Sequence, residues 1–225
     1  MQHLIELMHI NKYYSGKSSR IHVLKDVSLT IDRGELVAIT GSSGSGKSTL
    51  MNILGCLDSP TSGRYVLSGI NVMDMSQRQQ AHIRNKKIGF IFQGFNLIPA
   101  LTALENVELP LIYKGIPHKQ RLELAEKALN TVGLEKRMEH KPYELSGGKQ
   151  QRVAIARAIA TKPPIILADE PTGNLDSHSG EVILDTLIKL NELGKTVILI
   201  THDNSVAQRM DRQIKISDGR VMLDN

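Results

Sequence analysis

Apolar and polar positions along the chain change period several times, and each change marks a new element. Residues 4–10 alternate imperfectly, as an edge strand does, and a polar turn is expected at residues 15–19. Alternation resumes over residues 23–31 and stops at the turn Asp32-Arg33-Gly34. Glu35-Leu36-Val37-Ala38-Ile39 reads as a buried strand. Leu50, Ile53, Leu54 and Leu57 then recur at helical spacing, which predicts a helix over residues 48–57, ended by the turn residues of segment 58–63. A strand at 65–67, a polar helix at 76–84 and a short buried strand at 87–93 follow.

From residue 94 to about 162 the period is mostly helical. A helix over 101–111 should stop at Pro110, which has no N–H to give the next turn. Residues 119–132 are amphipathic, with Leu122, Leu124, Ala125, Ala128 and Leu129 on one side, and a further helix covers 149–161. Strands return at 165–168 and 196–200 with a helix between them, and residues 213–223 read as a hairpin around Ser217-Asp218-Gly219. Strands alternating with helices predict a mainly parallel sheet. The expected fold class is α/β: one domain over 1–225, with a core of about 1–93 and 162–225 and an inserted helical block of about 94–161.

Composition changes this picture little. A chain of 225 residues, 40% hydrophobic and 23% charged, can bury a full core. The net charge of +5 comes from scattered Lys and Arg with only short pairs such as Lys86-Lys87, so no nucleic-acid partner is expected. Cys56 is the single cysteine, which excludes an intrachain disulfide, and it is expected in the core, within the first helix. The N-terminus lacks a leader pattern, and no run of about 18 apolar residues occurs. A cytoplasmic location without direct membrane insertion is the expectation.

The candidate chemistry centres on Gly41-Ser42-Ser43-Gly44-Ser45-Gly46-Lys47-Ser48, which fits the phosphate-loop pattern between a strand and a helix. Glycines let the backbone curl its N–H groups around an anion, and the following helix N-terminus adds partial positive charge. Lys47 should reach the outer phosphates and Ser48 should ligate Mg²⁺, with Thr49 beside them. In the second half, Pro164-Ile165-Ile166-Leu167-Ala168-Asp169-Glu170 is an apolar strand ending in two acids. Asp169 is placed to hold Mg²⁺, and Glu170 to orient and deprotonate a water. Two adjacent carboxylates are costly to desolvate unless a cation compensates. Leu145-Ser146-Gly147-Gly148-Lys149-Gln150-Gln151-Arg152 offers a second anion-binding turn at a helix start.

With that last stretch the sequence resembles the ATP-binding cassette (ABC) family, whose signature begins Leu-Ser-Gly-Gly, and the resemblance runs nearly end to end. It implies a P-loop NTPase nucleotide-binding domain with a mainly parallel core sheet, an antiparallel β edge subdomain and an inserted α-helical subdomain. Gln93 matches the family's Q-loop glutamine, which implies a further Mg²⁺ ligand, Asn174-Leu175-Asp176 matches its D-loop, and His202 its switch histidine. Tyr14 fits the adenine-stacking tyrosine, with adjacent Tyr13 a rival; Lys149 departs from the Gln of many relatives. The resemblance implies a head-to-tail homodimer formed on ATP binding. Gly41, Ser42, Ser43, Gly44, Ser45, Gly46, Lys47, Ser48 and Thr49 of one copy, with Tyr14 and Gln93, face Ser146, Gly147 and Gly148 of the other, and Asp176 is expected as a further nucleotide-binding residue. Glu170 and His202 are then catalytic, and ATP yields ADP and phosphate with water as acceptor. A phosphate-loop kinase leaves Leu145 to Gly148 and the Asp-Glu pair unexplained.

Segments 52–58, 89–93, 101–107 and 175–181 resemble the branch holding the macrolide-export, lipoprotein-release and cell-division ATPases. That branch implies a separate membrane permease with a large extracytoplasmic domain, which would hold this chain at the inner face of the membrane. Export or extraction of a lipophilic, peptide or drug-like cargo follows by analogy; the alternative is a soluble cassette acting as scaffold or mechanotransmission regulator. The permease contact is expected on the helical block, with Phe95, Leu97, Ile98 and Leu101 as candidates.

Overall fold

The computed structural model describes residues 3–15 and 20–224. Its first half contains β1 (Ile5–Ser15), β2 (Arg20–Ile31), β3 (Leu36–Thr40), α1 (Lys47–Leu54), β4 (Ser62–Leu67), β5 (Ile70–Asn71), α2 (Gln77–Lys87) and β6 (Ile88–Phe92). The second half contains α3 (Ala103–Tyr113), α4 (His118–Thr131), α5 (Gly147–Ala160), β7 (Ile165–Asp169), α6 (Ser177–Glu192), β8 (Thr196–Ile200), α7 (Asn204–Ala207), β9 (Arg212–Ser217) and β10 (Arg220–Asp224). Apart from Ser15, which ends β1, the polar turn expected at 15–19 lies outside the described residues.

Two sheets result. One is antiparallel, in the order β2-β1-β4-β5. The other has the order β10-β9-β3-β8-β7-β6; its strands run parallel except for β10, which closes the edge as a hairpin with β9. The parallel strands β3, β7 and β8 are continuous apolar runs because helices and the antiparallel sheet cover both of their faces. One core lies between the sheets and α1, built on residues such as Leu7, Ile31, Leu50 and Ile53; the other lies on the opposite face, under α3 to α6, with Val107, Leu129, Val153 and Leu187.

Three expectations need correction. Segment 4–10 does not make an edge strand: β1 is flanked by β2 and β4, and Leu4, Ile5, Leu7 and Ile10 are at most 1% exposed. Irregular alternation there reflects the bulges in its pairing. The first helix is shorter than 48–57. It ends at Leu54, Gly55 caps it, and Cys56 lies beyond it in the left-handed region (φ 53), buried but not helical. Leu57 is left exposed. Pro110 does not terminate α3, which continues to Tyr113. Val107 and Leu111 on either side of it are fully buried, and the Lys114 N–H still finds the Pro110 carbonyl, so packing outweighs the one missing bond. The tail forms the expected hairpin, with Asp218 (φ 48) and Gly219 (φ 78) supplying the two left-handed turn positions. Among the described residues no helix is long and apolar enough to cross a membrane.

Candidate functional site

Strand register decides which side chains meet. Phe92 pairs with Asp169, Asp169 with Ile200, and Ile200 with Ile39, so β6, β7, β8 and β3 end level with one another. The next residue along each strand therefore arrives at the same edge: Gln93, Glu170, Thr201 and Thr40. This carboxyl edge of a parallel sheet is where such folds bind ligands. A cleft of about 550 Å³ opens there, lined by Val23, Ser43, Gly44, Gly46, Lys47, Ser48, Thr49, Gln93, Asp169, Glu170, Ile200 and His202.

The glycine loop joins β3 to α1. Gly46 caps the helix at φ 104, and Gly41 at φ 154 packs so tightly that an added Cβ would lie 2.2 Å from the Ile216 carbonyl oxygen. Both positions require glycine on backbone grounds. Lys47 folds over the loop, donating from Nζ to the carbonyls of Gly41 at 2.8 Å and Ser42 at 2.9 Å. Those are bonds an anion can replace, and they hold the ammonium at the mouth of the nest meanwhile.

Glu170 stands in the left-handed region at φ 44, with its side chain only 16% exposed. Its Oε1 accepts from the His202 N–H at 3.0 Å and lies 2.6 Å from His202 Nδ1. Its Oε2 accepts from the Thr201 hydroxyl at 3.2 Å. Asp169 beside it has a carboxyl held above the ordinary range, by burial first and by the Glu170 charge second, with Lys47 opposing both. An acid pair offset by a single ammonium suits a hard divalent cation, and Ser48 and Asp169 supply oxygen donors of that kind. Gln93 lines the same cleft, but its amide is turned to Asn174: Gln93 Nε2 donates to Asn174 Oδ1 at 3.2 Å, and Asn174 Nδ2 donates to the Gln93 carbonyl at 3.1 Å.

Not every candidate enters the cleft. Ser146, Gly147 and Gly148 start α5 away from it, against Leu175, Asn174 and Ser179, and Ser146 makes no side-chain capping bond. Asp176 caps α6 through Ser179, which holds its carboxyl below the ordinary range. Tyr13 stacks on His22 at 3.9 Å and carries the Arg20 guanidinium at 4.0 Å, so its ring is occupied. Tyr14 turns to the other side, where its hydroxyl donates to Asp58 at 2.7 Å and its ring carries Lys12 Nζ at 4.8 Å, so each ring already has a partner. Three residues escaped the sequence analysis: Val23, which walls the cleft, Ile200, and Thr201, which is 1% exposed and holds Glu170. Thr201 carried one weak signal, as a hydroxyl between an apolar strand and His202.

Comparison with known proteins gives a consistent result. The ABC transporter family model matches residues 24–173. The chain is 51% identical over 221 residues to the macrolide export ATP-binding/permease protein MacB of Aggregatibacter actinomycetemcomitans, covering 98% of this chain but 34% of that protein. It thus spans about a third of that relative's length. It is 52% identical to the ABC transporter ATP-binding protein YvrO of Bacillus subtilis, covering 98% of this chain and 96% of the relative. Among solved structures, the dimeric bacterial ABC transporter cassette MJ0796 superposes with a TM-score of 0.90 at 51% identity, over 98% of this chain and 97% of that one. The same cassette has been solved as a dimer in a post-hydrolysis state with ADP and Pi.

Proposed function

The chain belongs to the ABC transporter family and is an ATPase cassette of it, and on that premise we propose how its cleft works and what it drives. The observation that carries the reading is the convergence of Lys47, Ser48, Asp169, Glu170 and His202 at the level ends of four parallel strands. Lys47 and the N–H groups of the loop bind the β- and γ-phosphates of ATP. Tyr14 stacks on the base. Ser48 and Asp169, with Gln93 once it releases Asn174, would hold the Mg²⁺ that accompanies ATP, which supplies charge neutralisation at the phosphate oxygens. Glu170 takes a proton from water as that water attacks the γ-phosphorus, and the bond to the β,γ-bridging oxygen breaks to leave ADP and phosphate. His202 holds the Glu170 carboxylate and adds a donor beside the γ-phosphate.

One chain has a single phosphate loop, and its Ser146 turn lies outside its own cleft. A second copy arranged head to tail brings that turn, with its uncapped hydroxyl and helix N-terminus, onto the γ-phosphate. ATP then closes the dimer and hydrolysis opens it, a two-state interface biased by one phosphate group. The motion drives a separate membrane permease, for export or extraction of a lipophilic, peptide or drug-like cargo. A groove of about 800 Å³ between α2, β6 and α3, floored by Leu57, Phe90, Phe92, Leu109 and Pro110, is the surface offered to that permease. It lies beside the segment first expected to make the contact. Leu97 packs inward against the helical core, and Ile98 stays 43% exposed.

Three measurements test the reading. Purified protein should release phosphate from ATP without any acceptor. Light scattering should find monomers without nucleotide and dimers with a non-hydrolysable ATP analogue. Lys47→Ala should lose nucleotide affinity in a fluorescent-analogue titration. A stable dimer without nucleotide, or unchanged affinity in Lys47→Ala, would refute the corresponding part.

A further inference from the structure

Gln151 is fully buried in the second turn of α5, within reach of neither the cleft nor solvent. Its Nε2 donates to the Pro171 carbonyl at 2.7 Å and points to the Phe92 carbonyl at 3.3 Å. Pro171 directly follows Glu170, and Phe92 directly precedes Gln93. One amide group thus clasps the backbone on both sides of the cleft floor. Its Oε1 is buried with no hydrogen-bond partner among the described residues. Rotating the amide would aim that oxygen at two carbonyl oxygens, so the two acceptors fix its orientation.

The neighbouring geometry shows what this clasp holds. Glu170 sits at φ 44, a conformation that a non-glycine residue keeps only when its surroundings over-determine it. The Glu170 N–H bonds the Ile200 carbonyl at 2.9 Å, and the Gly173 N–H bonds the Glu170 carbonyl at 3.1 Å. Gln151 adds the constraint on the next peptide. Farther along α5, Arg157 donates to the carbonyls of Asn96 at 2.5 Å and Phe95 at 2.8 Å, two more left-handed residues. α5 therefore grips the Gln93 loop before and after its glutamine, and the same helix begins at the Ser146 turn.

We propose that Gln151 is a positioning residue for hydrolysis: it ties the signature helix to the Gln93 loop and to the Pro171–Thr172 peptide just beyond Glu170, and so sets the aim of the Glu170 carboxylate. The proposal rests on Glu170 acting as the base. A shift of α5 when a second copy engages its N-terminus is then passed directly to the base and to Gln93.

The test is a double-mutant cycle of Gln151→Met, which keeps length and removes both N–H groups, with Glu170→Gln. Phosphate release, nucleotide affinity and thermal melting are measured for each protein. Gln151→Met should turn over about 10- to 100-fold more slowly, as expected for misplacing a reacting group by about an ångström. ATP affinity should stay within about twofold, since the phosphate loop is untouched. In the Glu170→Gln background the same substitution should change the residual rate by less than about twofold, because its effect runs through the missing base. Gln151→Leu replaces it if melting shows the methionine variant to be unfolded. An unchanged rate in Gln151→Met, or an equal loss in both backgrounds, overturns the proposal. If Glu170→Gln is inactive while Gln151→Met is normal, only the positioning role falls. If Glu170→Gln turns over like wild type, the base assignment falls and takes this proposal with it.

Discussion

Replacing Glu170 by glutamine changes one carboxylate oxygen to an amide and little else. The side chain accepts from the His202 backbone N–H at 3.0 Å and from the Thr201 hydroxyl at 3.2 Å, and meets His202 Nδ1 at 2.6 Å. A glutamine keeps its oxygen toward His202 and turns its NH₂ toward Thr201, whose hydroxyl then accepts. Packing and the φ 44 backbone are preserved, so the loss is confined to proton acceptance. A positioned general base contributes about 10²- to 10⁴-fold. At about 1.4 kcal/mol per factor of ten, the barrier rises by about 3–5 kcal/mol. Phosphate release should fall by that factor while nucleotide affinity holds, and light scattering should show an ATP-bound dimer accumulating.

The same substitution carries a stability signature of known sign. Asp169 has its carboxyl raised, by burial and then by Glu170. A raised carboxyl binds its proton more tightly in the folded state, so folding is favoured at low pH and loses stability as pH rises through the Asp169 value. Removing the Glu170 charge lessens that loss. Glu170→Gln should therefore melt at or above the wild-type temperature at neutral pH, and the advantage should shrink as pH falls through the raised Asp169 value. Turnover within tenfold of wild type, or a variant several degrees less stable at neutral pH, would refute the reasoning.

Two further outcomes probe the frame of the site. Gly41→Ala puts a methyl 2.2 Å from the Ile216 carbonyl oxygen and 2.7 Å from Ser45 Oγ at φ 154, so it should cost about 1–3 kcal/mol, read as a lower melting temperature, and weaken nucleotide binding; a variant as stable as wild type would show that the loop yields. Asp58 takes bonds from Lys12 at 2.6 Å, Tyr14 at 2.7 Å and the Ser59 N–H at 2.7 Å, and although burial pulls its carboxyl up, these bonds hold it below the ordinary range. Asp58→Asn should lose about 1–3 kcal/mol, present at neutral pH and vanishing as pH falls through the lowered Asp58 value; a stability gap that does not close in acid would contradict the assignment.

How much of this was legible in the sequence depends on the range of the interaction. The glycine loop, the apolar strands β3, β7 and β8 and the tail hairpin are specified by neighbours in the chain, and their reading needed nothing else. Pro110 and segment 4–10 were misread because distant partners decide them: the burial of Val107 and Leu111 carries α3 through its proline, and β4 arrives from about fifty residues away to make β1 interior. The surroundings of Tyr13 and Tyr14 are likewise set by the fold, with His22 and Arg20 at the first and Asp58 and Lys12 at the second.

The site divides along the same line. Residues that bring ionisable groups to the cleft, Lys47, Asp169, Glu170 and His202, stand at a strand end, one or two places beyond one, or at a helix start, so an apolar run followed by an ionisable residue reveals them. Residues that aim those charges stand anywhere the fold brings them. Thr201 reads as one more strand-end hydroxyl until the β7–β8 register sets it against Glu170, and Gln151 reads as a polar position in a signature helix until its amide is found between Phe92 and Pro171. A carboxylate such as Glu170 in a left-handed backbone conformation needs several such restraints at once, because any one bond of about 1 kcal/mol is too weak to hold a strain of about 1–3 kcal/mol. The chemistry of this cleft is thus written locally, and its geometry is written in the pairing of strands and in the helix laid across them.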